Sequence, residues 1–106
     1  MENTIPNQST EYNDNRISLY VGQNGKCGLT SKRLEINDME VHHKTPKLQG
    51  GKDEYSNLLY VTYNVHKIIH ATEMQTINKY MKMENLDKKA LKKLNLLRKK
   101  VGNYVI

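Results

Sequence analysis

Residues 40–71 read EVHHKTPKLQGGKDEYSNLLYVTYNVHKIIHA and contain all four histidines of the chain. Residues 39–43 suit a strand, and the segment LLYVTY that follows Asn57 is rich in the β-branched and aromatic residues that strands favour. Residues 44–56 hold Pro46 and a Gly-Gly pair, which predicts a loop between the two strands. Long loops in small domains are often functional, so this hairpin is a candidate site.

A short helix is predicted directly after the second strand, over about residues 65–71, with Thr62 or Asn64 as its N-cap. Residues four apart in a helix share one face, so the rings of His66 and His70 emerge side by side. This is the geometry of helical metal-binding histidine pairs. The apolar side chains of the helix point the other way and can anchor it in a core. They are Val65, Ile68 and Ile69.

His42 and His43 are neighbours on the first predicted strand, where successive side chains point to opposite faces. One of them can therefore bind a metal ion while the other meets a substrate, provided that a bend near Pro46 brings both to one site. A lone pair of helical histidines is weak evidence for metal. A structural zinc site is an alternative, although such sites usually have four ligands and favour cysteine.

The order of these residues resembles the core of the HNH, or ββα-metal, nucleases. The matching positions are His42-His43, Pro46, Gly50-Gly51, Asn57-Leu58, and His66 as the ninth residue after Asn57, with His70 four residues later. The resemblance implies an α+β fold: a small ββα-metal (His-Me finger) unit with additional C-terminal helices. It also implies His42, His66 and His70 as metal ligands, His43 as the general base, and Asn57 as the residue that orients this base or the backbone beside it.

The flanking sequence, over about residues 12–103, is similar to the C-terminal endonuclease domain of group II intron-encoded reverse transcriptase–maturases. That likeness implies a metal-dependent enzyme that nicks DNA by phosphodiester hydrolysis, leaving 5′-phosphate and 3′-hydroxyl ends, in intron mobility. DNA is then the main partner, with intron RNA and the reverse transcriptase/maturase domains as further candidates. The alternatives are a catalytically silent nucleic-acid-binding module of the same fold and a zinc-stabilised interaction domain.

One divalent cation is implied, and the sequence does not distinguish Mg²⁺, Mn²⁺, Zn²⁺ and Ni²⁺. Many HNH domains carry two CxxC pairs that hold a structural zinc ion, whereas this chain has a single cysteine, Cys27. We therefore expect no structural CxxC zinc, and we expect Cys27 to be a small buried hydrophobe. A single cysteine cannot form an internal disulfide, which favours a reducing, cytoplasmic setting.

The net charge of +6 and the pI of about 9.4 favour an anionic partner. Nine Lys or Arg and two acidic residues lie in residues 79–100, so this segment carries the excess of positive charge. The predicted nucleic-acid contacts on its last helix are Lys88, Lys89, Lys92 and Lys93. A solvated helix face is the alternative interpretation. No apolar run is long enough to span a bilayer, and we expect no membrane partner.

The remaining boundaries follow from composition and helix signals. Residues 1–14 are polar and predict a disordered leader or linker, with the endonuclease domain and its basic helix over 15–106. Residues 74–83 suit a short amphipathic helix. A second helix is predicted between an N-cap at Asp87 and a stop at Gly102. Its apolar face is expected to consist of Ala90, Leu94, Leu97 and Val101.

Overall fold

A two-stranded antiparallel sheet carries the histidine-rich stretch in the computed structural model, which describes residues 9–106. Strand β1 (Met39–His43) pairs with β2 (Leu58–Thr62), so that His42 lies opposite Leu59. All of β2 is buried, and its apolar residues explain why it forms the inner strand. The predicted hairpin is confirmed.

Helix α2 (Tyr63–His70) follows β2 without a loop. The side chain of Thr62 accepts a hydrogen bond from the Val65 backbone amide, so Thr62 is the N-cap, not Asn64. Ile68 and Ile69 are fully buried, as the pattern predicted. The helix is thereby fixed against the sheet with its histidine face turned towards β1.

Two further helices, α3 (Met74–Met83) and α4 (Lys88–Lys100), complete the C-terminal part. The Asp87 carboxylate caps α4 by accepting a hydrogen bond from the Ala90 amide at 2.8 Å. Gly102, just beyond the helix, has a φ of +87°, a conformation that glycine adopts without strain. On the predicted apolar face of α4, Ala90, Leu94 and Leu97 are buried and Val101 is half-buried.

A helix that the sequence did not predict, α1 (Thr10–Gly22), precedes the hairpin and contacts β2. The expected disorder of residues 1–14 therefore does not hold for residues 10–14, while residues 1–8 lie outside the described part. The Ser9 side chain caps α1, and Asn13 and Arg16 are buried beside Leu19. Because two of its three buried positions are polar, the helix shows no apolar periodicity.

Cys27 is buried in the main apolar cluster, as the sequence predicted. Among the described residues, no helix is both long and apolar enough to cross a membrane.

Candidate active site

Three histidines meet where β1 packs on α2. Each of His42, His66 and His70 offers a ring nitrogen, and these three atoms lie within 4.8 Å of one another. The ring centroids are 5.3 Å apart for His42–His66, 5.2 Å for His42–His70 and 4.8 Å for His66–His70. The strand and the helix therefore place the predicted set in contact, at a separation that one ion could bridge, since imidazole–metal bonds are about 2.0–2.1 Å long.

His42 lies deepest in this cluster, with only 1 % of its surface exposed. Within residues 9–106, neither of its ring nitrogens has a hydrogen-bond partner. Burial, followed by the charges of the neighbouring histidines, lowers the pKa of His42 to about 3. A neutral, buried imidazole without a partner costs about 1–3 kcal/mol, and a metal ion bound at this position would remove that cost. The orphaned nitrogens therefore fit a cation site.

Glu40 orients the second histidine of the cluster. Its Oε1 lies 2.6 Å from Nδ1 of His66, which leaves Nε2 of that ring for the cluster. Metal-binding histidines commonly donate their other N–H to a carboxylate in this way. Sequence reasoning missed Glu40, although it stands two residues before His42 and therefore on the same face of β1.

His43 belongs to a different group of side chains. Its Nε2 lies 2.9 Å from Oδ1 of Asp53, and the Tyr12 ring of α1 lies parallel to it with centroids 6.0 Å apart. The hydrogen bond to His43 is the main cause that lowers the pKa of Asp53, assisted by Lys47 and Ser9. The Asp53 carboxylate therefore accepts a hydrogen bond from Nε2, and Nδ1 of His43 remains available.

All four histidines line one open cavity of about 340 Å³, together with Pro46 and Lys47. The two adjacent histidines thus reach one site, although they leave β1 on opposite faces. The reason is that His42 lies at the bottom of the cavity, while the loop after β1 folds back and holds His43 at its edge.

Asn57 acts on the backbone and not on the His43 ring. Its Oδ1 accepts a hydrogen bond from the Thr45 amide at 2.8 Å, and its Nδ2 donates to the carbonyls of Thr45 and Lys52 at 3.1 and 2.9 Å. The sequence left these two roles open. Gly51 completes the loop, because a Cβ atom there would lie 1.8 Å from the Thr45 carbonyl oxygen.

The four lysines predicted to contact nucleic acid are all exposed on α4. They are Lys88, Lys89, Lys92 and Lys93. Their helix packs on α2, the helix that carries His66 and His70. Of the four, Lys93 is also close enough to Lys44 to lower its pKa, a smaller effect there than that of burial.

Comparison with known proteins identifies the segment that holds this site. Residues 25–72 match the family model described as HNH endonuclease, and this segment contains β1, β2, α2 and all four histidines. The match supports an HNH domain of the small ββα type and a nuclease-type function, in a family that typically uses a divalent metal ion. No curated protein and no solved structure gives a significant match.

Proposed function

We propose that this chain is a metal-dependent endonuclease that nicks DNA by phosphodiester hydrolysis and leaves 5′-phosphate and 3′-hydroxyl ends. The observation that carries the proposal is the convergence of three imidazoles around the buried, unpartnered His42, beside a carboxylate-bound His43 in the same cavity. The HNH endonuclease match over this segment supports it.

His42, His66 and His70 would hold one divalent ion. When bound there, the ion would supply Lewis-acid chemistry, since a divalent cation can neutralise the charge that develops on a scissile phosphate. Neutral imidazoles leave the positive charge of the ion undiminished for that purpose. Nitrogen ligands suit transition metals best, and Mg²⁺, Mn²⁺, Zn²⁺ and Ni²⁺ are all candidates.

His43 would take the proton of the attacking water at Nδ1. Asp53 accepts the hydrogen bond from Nε2 and so fixes both the tautomer and the direction of the ring. Tyr12 holds the plane of the ring from the side of α1. General bases typically contribute about 10²–10⁴-fold to a rate. Asn57 is a positioning residue in this scheme, since it holds the loop that places His43 and Asp53 together.

We further propose that the nicking serves group II intron mobility, with reverse transcriptase/maturase domains and intron RNA as partners. The likeness of residues 12–103 to the endonuclease domain of those proteins supports this setting. The second candidate is a catalytically silent DNA-binding module. The complete set of four histidines with Asn57 favours the enzyme, because loss of activity would be expected to remove at least one of them.

A nicking assay on supercoiled plasmid tests the proposed activity. Each of the four metals is added in turn to the chelator-treated protein, and the products are treated with DNA ligase. We expect metal-dependent open circles that ligase reseals, since ligase requires a 5′-phosphate beside a 3′-hydroxyl. DNA binding without nicking at any metal would favour the silent module. Zinc-dependent stabilisation without DNA binding would favour an interaction domain.

We expect Glu40→Gln to weaken metal binding by about 10–100-fold, the usual effect of removing a carboxylate that orients a ligand. The amide keeps the size of the side chain but loses the charge that holds His66 Nδ1–H. Isothermal titration with Zn²⁺ or Ni²⁺ measures the affinity directly. Glu54→Gln is the matched control, because Glu54 is an exposed residue of the loop. Equal affinities for the two variants would contradict the role of Glu40.

A further inference from the structure

A groove of about 560 Å³ runs between the end of β1 and the exposed side of α4. Lys44 forms one wall, immediately after the proposed base His43, and Lys93 and Lys100 of α4 form the other. Leu96, Leu97 and Lys99 complete its lining. The groove adjoins the active site but lies outside the cavity that the histidines line.

Four lysines line this groove, and no negatively charged side chain lies among its lining residues. In the described part of the chain, none of them forms an ion pair with a carboxylate, and Lys93 Nζ donates only to the Gly28 carbonyl at 2.7 Å. Lys44 is half-buried and lines the groove together with Lys93 and Lys100, so the three positive charges repel one another. Such a cluster opposes folding, and a bound anion would relieve the repulsion.

We infer that this groove binds the sugar–phosphate backbone of duplex DNA beside the bond that is cut. This inference rests on the proposed function, which makes DNA the substrate. Phosphates would contact Lys44, Lys93 and Lys100, and Leu96, which is 57 % exposed, offers an apolar surface against the deoxyriboses between them. The occupant is an extended polyanion because the charges line a groove and do not surround a single point.

The inference divides the basic face of α4 into two edges. Lys93 and Lys100, seven residues apart, lie on the edge that faces Lys44, whereas Lys88 and Lys92 do not line the groove. Both edges carry exposed lysines on one helix. The sequence could not separate them, because which edge faces β1 depends on how α4 packs.

Two double variants test the inference with the same change of charge. Lys44→Gln/Lys100→Gln removes two groove lysines, and Lys88→Gln/Lys92→Gln removes two from the other edge. None of these four side chains makes a hydrogen bond or ion pair in the described structure, so neither variant should have a lower melting temperature than the wild-type protein. Fluorescence anisotropy with a short labelled duplex, in buffer containing EDTA, measures affinity without cleavage.

We expect the groove variant to bind duplex DNA about 10–30-fold more weakly at 150 mM salt, with the slope of log affinity against log salt reduced by about 1.8, since each lost phosphate contact removes about 0.9. The Lys88→Gln/Lys92→Gln variant should lose less affinity than the groove variant, because its two lysines lie outside the groove. An equal or larger loss in the control would overturn the inference. So would a groove variant that loses affinity for an RNA hairpin but not for duplex DNA.

The wild-type nicking assay separates this inference from the proposed function. If the wild-type protein nicks DNA but the groove variant binds duplex DNA as tightly as wild type, the endonuclease proposal stands and the groove inference is wrong. If the wild-type protein never nicks DNA but only the groove variant binds it more weakly, the groove is a DNA-binding surface and the proposed endonuclease activity is wrong.

Discussion

His43→Ala is expected to slow plasmid nicking by about 10²–10⁴-fold, the usual contribution of a general base, while metal affinity stays close to wild type. The reason lies in its contacts. The His43 ring is bound by Asp53 and lies parallel to Tyr12, and it is not one of the three rings whose nitrogens converge. The ring is partly exposed at the edge of the cavity, so its removal leaves no void in the core.

His42→Ala is the matched comparison, because it removes the same side chain one position earlier in the chain. We expect this variant to lose metal binding and nicking together. Isothermal titration with Zn²⁺ or Ni²⁺ and the plasmid assay are applied to both proteins, with circular dichroism to check that each is folded. The division of roles is wrong if His43→Ala loses metal as His42→Ala does, or if it cleaves at the wild-type rate.

The Asp53→Asn variant tests the role of the residue that binds the His43 ring. We expect nicking to fall by less than in His43→Ala, with unchanged metal affinity, because the ring remains but its tautomer is no longer fixed by an anion. Nitrogen-15 NMR of the His43 ring reports this directly, since the proton on Nε2 marks the tautomer that Asp53 selects. Asp14→Asn, an exposed position of α1, is the control. A wild-type ring spectrum in Asp53→Asn would contradict the orienting role.

The sequence predicted those parts of the site that depend on local geometry. The helical period places His66 and His70 on one face, and the strand period separates His42 from His43. Hydrophobic residues such as Ile68 then determine which face of α2 turns inward. The pairing of β1 with β2 follows from the loop between them. These features depend on a few consecutive residues, so the pattern was sufficient to predict the fold of the hairpin and α2.

The contacts that support the site depend on distant parts of the chain, and the sequence did not predict them. Tyr12 contacts His43 from helix α1. The buried face of this helix includes the polar residues Asn13 and Arg16, so no apolar pattern in the sequence marks it. Asp53 is one of several polar residues in a loop, and its partner is fixed only by how that loop folds. Arg98 lies among the lysines of α4 and looks like another solvated cation, yet its side chain is fully buried.

The buried Arg98 connects α4 to the end of the helix that carries His70. Its Nη1 donates to the carbonyls of Ile68 and Ala71, and its Nε donates to the carbonyl of Tyr104. The last carbonyls of a helix have no partner within the helix. Arg98 supplies partners for two of the carbonyls at this end of α2, and so holds the turn that carries His70.

Arg98→Met is therefore expected to lower the free energy of unfolding by about 3 kcal/mol or more, because buried carbonyls left without a donor cost about 1–3 kcal/mol each. Methionine keeps the apolar stem, so the loss reports the guanidinium. Urea unfolding with an unchanged m-value measures it. Lys99→Met is the control at the next, exposed position, where substitutions usually stay within about 0.5 kcal/mol. Similar midpoints for the two variants would mean that Arg98 does not hold α2. If Arg98→Met is less stable and its folded form also binds Zn²⁺ more weakly, the same contacts position His70.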